Sequence, residues 1–153
     1  MTDSATYDRL AQIASKFITD CMPDPPGSNT PNTERMLASY APDFRICWGH
    51  KTFVDSFPPL QGDKSRQEFV EHIASMAKQL STWRPEITNT IVDVRKRSVV
   101  LRADFHMTAQ NQTTVLNDII FIVDIDESLD RLSRVTEFID PKAHEHLREA
   151  MKV

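Results

Sequence analysis

The chain has 153 residues, which is enough for one ordinary domain with a sizeable buried core. Its net charge of −4 excludes the basic surface that nucleic-acid-binding proteins use. Cys21 and Cys47 do not make a disulfide framework, the first residues lack the apolar segment of a signal peptide, and the longest apolar run, residues 119–123, is too short to cross a bilayer. We therefore expect a cytoplasmic protein that binds neither nucleic acid nor a membrane.

Apolar residues at helical spacing predict two long helices and two shorter ones. Ser65 and Glu68 form a capping box at the start of the second long helix. Asp140, followed by Pro141, is a cap for the last helix, and Thr30 is a cap for the short one. The predicted helices cover residues 4–21, a short stretch after residue 31, residues 65–80 and residues 141–151.

Alternation of apolar and polar residues predicts the strands. They cover residues 44–48, 86–94, 98–108, 113–126 and 131–140, and residues 51–63 between them are expected to be irregular. Helices followed by a run of antiparallel strands predict an α+β domain over residues 1–153. In such a domain the N-terminal helices cover the concave face of a curved sheet, which closes into a cone with a pocket.

Ionisable side chains stand among the apolar residues of the last three strands. In the simplest hairpin register, Arg102, Asp104, His106, Asp118 and Glu137 converge on the concave face. Asp104 is then the expected general base, oriented by Arg102, and His106 is a proton shuttle. Glu137 lies in an otherwise apolar segment, so burial is expected to raise its pKa and make it the partner acid. Alternatively, these charges lie on a solvated outer face.

The opposite face of the same strands carries an apolar band. We expect the helices to leave this band open, so that it forms a homodimer interface, sheet against sheet. The band consists of Val99, Leu101, Ala103, Phe105, Met107, Val115, Ile119, Phe121, Val123 and Ile125. If the acids face solvent instead, the site is to be sought on this face, around Asn117 and Trp48.

Motifs of other chemistries are missing from the sequence. The three glycines form no phosphate-binding loop, and no pattern of a nucleophilic serine or cysteine is present. His144 and His146 have the wrong spacing for a metal site on a helix, and we expect both to be solvated. No cofactor and no metal are expected.

Several segments resemble the SnoaL-like branch of the nuclear-transport-factor-2-like fold. They are LASYAPDFRICW, ITNTIVDV, VVLRADFHMTA, LNDIIFIVDID and RVTEFID. The most specific are Asn117-Asp118, where the family tends to carry Asn-Glu, and Glu137-Phe138-Ile139-Asp140, which matches its Glu-Phe-x-Asp. Fungal members look most similar, including cyclases and isomerases of polyketide and meroterpenoid pathways. Arg102-x-Asp104 with Glu137 also resembles the arrangement in epoxide hydrolases of this fold.

The resemblance implies a cofactor-independent isomerase or cyclase of fungal secondary metabolism, with or without a hydrolytic step. Its partner would be a small, apolar, polycyclic substrate, a terpenoid or polyketide intermediate. The alternative is a non-catalytic module that uses the same cone to hold a ligand or another protein.

Overall fold

The structure is a computed structural model that describes residues 2–152. Its elements follow one another as helices, a first strand, further short elements and a long run of strands. They are α1 (Asp3–Thr19), α2 (Thr33–Ser39), β1 (Tyr40–Gly49), α3 (Lys51–Asp55), a 3-10 turn (Pro58–Leu60), β2 (Lys64–Ser65), α4 (Arg66–Ala77), β3 (Leu80–Asp93), β4 (Ser98–Ala109), β5 (Thr114–Ile125), β6 (Leu132–Phe138) and α5 (Pro141–Ala150).

The predicted caps are confirmed at two helices and wrong at a third. Ser65 and Glu68 make both reciprocal hydrogen bonds of the capping box at the start of α4, and the Asp140 carboxylate accepts the first free N–H groups of α5. The short helix α2 is capped by Asn32 rather than by Thr30, because the Asn32 side chain reaches the backbone N–H of Arg35. The predicted irregular stretch contains α3 and the 3-10 turn.

Within residues 2–152 the strands form one six-stranded sheet in the order β2-β1-β6-β5-β4-β3. All neighbours are antiparallel except β1 and β6, which are parallel. The parallel pair brings Trp48 beside Glu137, and the antiparallel pair of β6 and β5 brings Phe121 beside Glu137 from the other side. The predicted α+β architecture, with helices over the concave face of a curved sheet, is confirmed.

The apolar band predicted to be open is in fact the inner face of the sheet. Val99, Leu101 and Ala103 are fully buried, and they lie in the same core as Leu10 of α1 and Phe69 of α4. The expectation was wrong because the apolar stripes of the helices need an apolar partner, and only this face of β4 and β5 provides one.

The outer face of the sheet is mixed in character. It carries charged side chains together with four exposed branched residues, whose exposed fractions range from 38 to 59%. These are Ile91, Leu116, Ile120 and Ile122. Among the described residues, no helix is long and apolar enough to span a membrane.

Candidate active site

A cavity of about 380 Å³ lies between the concave face of the sheet and the helices α1, α4 and α5. Its volume is in the range of sites that hold small organic ligands. Most of its lining is apolar, and much of it is aromatic. The rings include Phe17, Trp48, Phe69, Trp83, Phe105 and Phe121.

Glu137 is the only carboxylic acid among the described residues that line this cavity. It lies on β6 on the same face as Val135 and Ile139, which are both buried. Trp48 and Phe121 flank it on the two neighbouring strands. The sequence prediction that Glu137 lies in apolar surroundings is therefore confirmed.

Burial raises the pKa of Glu137 to about 8, and a hydrogen bond from Trp48 opposes this effect only in part. Moving a carboxylate away from water disfavours its charged form, and no cation compensates here. The side chain is half-buried by surface area, and the cavity is where it is accessible. Glu137 is therefore mostly protonated at neutral pH and is poised to donate a proton.

His72 of α4 lines the cavity beside Trp48. The centroids of the two rings are 5.5 Å apart, and the ring of Phe69 lies 6.4 Å from both of them. Burial lowers the pKa of His72 from its ordinary value of 6.5, and the charge of Lys64 contributes in the same direction. The imidazole is therefore neutral at pH 7 and has a lone pair that can accept a proton.

His144 of α5 also faces the cavity, so the expectation that it is solvated was wrong. Phe53 and Phe57 contact its ring edge-to-face, with centroids at 5.4 and 4.8 Å. Burial, followed by the charge of Arg148 and then by His72, lowers its pKa to about 4. Its Nε2 atom is enclosed and makes no hydrogen bond with any described residue.

Asn117 of β5 supplies a polar group on the inner face, where it lies opposite Phe105. It is 97% buried, since only 3% of its surface is exposed. The backbone N–H of Asp140 donates to its Oδ1 at 3.3 Å, which fixes the amide plane. The amide NH2 makes no hydrogen bond to the described part of the chain, so it is available to an oxygen atom of a ligand.

Cys21 lines the cavity as well, but its chemistry is suppressed. Its Sγ contacts the Phe17 carbonyl at 3.0 Å and the Tyr40 hydroxyl at 3.9 Å. Burial raises the pKa of the thiol to about 12. Because the thiolate is the nucleophilic form, Cys21 is unsuited to covalent catalysis at neutral pH.

Four of the five predicted site residues lie on the outer face, away from the cavity. Arg102 and Asp118 form a bidentate ion pair there, with N–O distances of 2.9 and 2.5 Å. Asp104 lies opposite Asp118, and His106 lies opposite Leu116. The prediction that these residues share the concave face with Glu137 was wrong, and the alternative of a charged outer face was right for them.

The Arg102–Asp118 pair is a partly solvated surface contact. Its two side chains keep 55 and 37% of their surface exposed. Hydrogen bonds from Arg102 hold the pKa of Asp118 below its ordinary value, so Asp118 stays ionised. The pair lines a shallow groove on the outer side together with His50 and Phe138.

The sequence matches no protein-family model, and no curated protein is significantly similar to it. Solved structures do match. The pinacolase BvnE from Penicillium brevicompactum superposes with a TM-score of 0.75 at 14% identity, over 94% of each chain. PrhC from Penicillium brasilianum superposes with a TM-score of 0.77 at 17% identity, over 96% of this chain and 94% of its own chain. A candidate SnoaL-like polyketide cyclase from Shewanella denitrificans gives 0.69 at 9% identity, over 92% of this chain and 97% of its own.

At these identities the matches establish the fold. The resemblance to SnoaL-like proteins is confirmed at that level: the chain has the SnoaL-like form of the nuclear-transport-factor-2-like fold. The chemistry of the cavity must be argued from its own residues.

The pKa of Glu137 makes the stability of the protein depend on pH. The unfolded state loses this proton near pH 4.5 and the folded state near pH 8, so the folded state holds more protons between these values. The free energy of unfolding of the wild type, relative to Glu137→Gln, should therefore fall by about 2–4 kcal/mol as pH rises from 4.5 to 9.

Urea unfolding of both proteins at several pH values measures this difference. The lowered pKa values of His72 and His144 act in the opposite direction, but they are common to both proteins and cancel. Parallel stability curves for wild type and variant over this range would contradict the assignment.

Proposed function

We propose that this chain is a cofactor-independent isomerase or cyclase, with or without a hydrolytic step, that acts by acid–base chemistry on a polycyclic terpenoid or polyketide intermediate. We place it in the cytoplasm and in fungal secondary metabolism. Both cysteines are free, as in a reducing compartment. The fungal setting is supported by the higher TM-scores of the two Penicillium proteins, 0.75 and 0.77, compared with 0.69 for the Shewanella protein.

The observation that carries the proposal is a single carboxylic acid, Glu137, on the wall of an aromatic cavity within the described residues. Apolar walls favour a substrate with a large apolar surface, and the volume suits several fused rings. Glu137, whose pKa is raised to about 8, is a proton donor at the pH where most other carboxylic acids are ionised. We favour an enzyme over a binding module because a carboxyl group whose pKa is raised toward neutral pH is suited to proton transfer.

The proposed reaction begins with proton transfer from Glu137 to an oxygen or an alkene carbon of the substrate. The Asn117 amide can donate a hydrogen bond to a second substrate oxygen. Positive charge that develops during bond migration or ring closure would be stabilised by the faces of Trp48 and the other rings. Loss of a proton from the rearranged cation then ends the reaction. Where the protonated oxygen is a hydroxyl that leaves as water before the migration, this is the type of reaction that the name pinacolase describes for BvnE.

Glu137→Gln keeps the shape of the side chain and removes its acid. Turnover of a polycyclic intermediate should fall by about 10²–10⁴-fold, because that is the usual contribution of one positioned acid. In the wild type, kcat/KM should fall as pH rises through about 8, where Glu137 loses its proton. The measurement uses purified protein and intermediates of the pathway encoded by neighbouring genes.

The matched control is Asp104→Asn on the outer face, which should retain wild-type turnover. Melting temperatures check that both variants fold. Normal turnover in Glu137→Gln, or a loss in Asp104→Asn alone, would contradict the proposal. Binding of the intermediates without any turnover would favour the binding module.

We also propose that two copies pair through the outer face of the sheet. Ile91 and Ile122 flank Val100 across β3, β4 and β5, so they form an exposed apolar row. Arg102 and Asp118 place both signs of charge on the same face, which suits a self-complementary contact between identical chains.

Ile122→Asp should convert this homodimer to a monomer, because it places a charge in the apolar row. Sedimentation equilibrium at micromolar concentration measures the change. Gln67→Asp, which adds the same charge to the exposed side of α4, should leave the dimer intact. A monomeric wild type would refute the proposed assembly.

A further inference from the structure

We propose that His72 is the proton acceptor that works with Glu137 in the cavity. This inference rests on the proposed function and names a second residue for the same reaction. Three observations support it. His72 lies on the side of α4 that lines the cavity, its ring contacts that of Trp48, and its ring makes no hydrogen bond with a side chain of the described residues.

The position of His72 follows from the periodicity of α4. Phe69, Ile73 and Met76 form the stripe of this helix that faces the cavity, and His72 falls on the same stripe at the i, i+3 and i+4 spacing. The side chain of His72 therefore faces the cavity.

Trp48 connects the two proposed proton-transfer groups. It lies opposite Glu137 in the β1–β6 pair, and its ring centroid is 5.5 Å from that of His72. A ligand lying against Trp48 would therefore be near both the acid of the sheet and the imidazole of the helix.

The surroundings keep His72 neutral and Glu137 protonated. Lys64 from β2 lies over Trp48 at 5.9 Å, and together with burial it lowers the pKa of His72. The other basic groups that line the cavity are His144 and Arg148 of α5 and Lys152, which follows this helix. These environments move the pKa values of an acid and a base in the directions that give each its role at neutral pH.

His144 is a weaker candidate for the acceptor. It is neutral as well, but its Nε2 is buried, and Phe53 and Phe57 both contact its ring. His72 lines the cavity, and its ring makes no hydrogen bond with a side chain of the described residues.

The proton balance of an isomerisation then closes within the cavity. Glu137 gives one proton to the substrate, and His72 takes one from the carbon or oxygen that must lose it. The turnover leaves a Glu137 carboxylate and a His72 imidazolium, and transfer of that proton back to Glu137 restores the starting state. No electrons are exchanged.

Nitrobenzisoxazole is a small apolar probe that reports on a base in a cavity. Removal of its ring C–H proton breaks the N–O bond and releases a coloured cyanonitrophenolate. We expect the wild type to accelerate this reaction and His72→Gln to lower the accelerated rate at least about 10-fold at pH 7. In Glu137→Gln, which has no carboxylate in the cavity, the remaining rate should be level from pH 7 to 9, because the His72 acceptor is already neutral there.

Two controls make the result specific. His106→Gln, the same substitution on the outer face, should keep the wild-type rate, and His144→Gln tests the other histidine that lines the cavity. The pH profile of Glu137→Gln leaves His72 in place, so it still tests the proposal if His72→Gln folds poorly. A rate that rises through about pH 8 in the wild type and is lost in Glu137→Gln would identify Glu137 as the base and overturn the proposal.

The proposal is also overturned if wild type does not accelerate the probe, if His72→Gln matches wild type, or if the loss falls on His144→Gln. These outcomes are separate from a failure of the proposed function, which is read from Glu137→Gln with polycyclic intermediates.

Discussion

The structure depends on one constraint, which is that the apolar stripes of α1 and α4 must be covered by an apolar sheet face. This requirement decides which side of β4 and β5 points inward, and it buries Val99, Leu101 and Ala103. The helices do not fill the space over the sheet, and a cavity of about 380 Å³ remains. Glu137 and Asn117 are polar residues on the otherwise apolar inner face of the sheet, and both line this cavity.

The same burial determines the protonation states of Glu137 and His72 in the cavity. An isolated carboxylate is disfavoured in apolar surroundings, so Glu137 keeps its proton, and His72 stays neutral for the corresponding reason. The cavity thereby contains a proton donor and a proton acceptor without a formal charge on either, which suits an apolar substrate. On the outer face, Arg102 and Asp118 remain ionised because water and their mutual hydrogen bonds stabilise both charges.

Much of the fold could be predicted from the sequence. The capping box at Ser65, the cap at Asp140 and the long alternating strands were all readable from local chemistry. The concave face was the right place for the site, but four of the five predicted residues lie on the outer face. A cluster of charges does not mark the concave surface, because alternation fixes which residues share a face and not which face is covered. A single polar residue on an otherwise apolar strand face is the better indication of a cavity-lining residue. Glu137 has such a position between Val135 and Ile139, whereas Asp104 does not.

The account rests on the claim that Glu137 carries a proton at neutral pH inside the cavity. Nuclear magnetic resonance of protein labelled with carbon-13 at the glutamate carboxyl groups measures this directly, and the signal of Glu137 is the one missing in Glu137→Gln. We expect this carboxyl to titrate with a midpoint of about 8. A midpoint near its ordinary value of 4.5 would mean that Glu137 is ionised at neutral pH, and it would contradict the account.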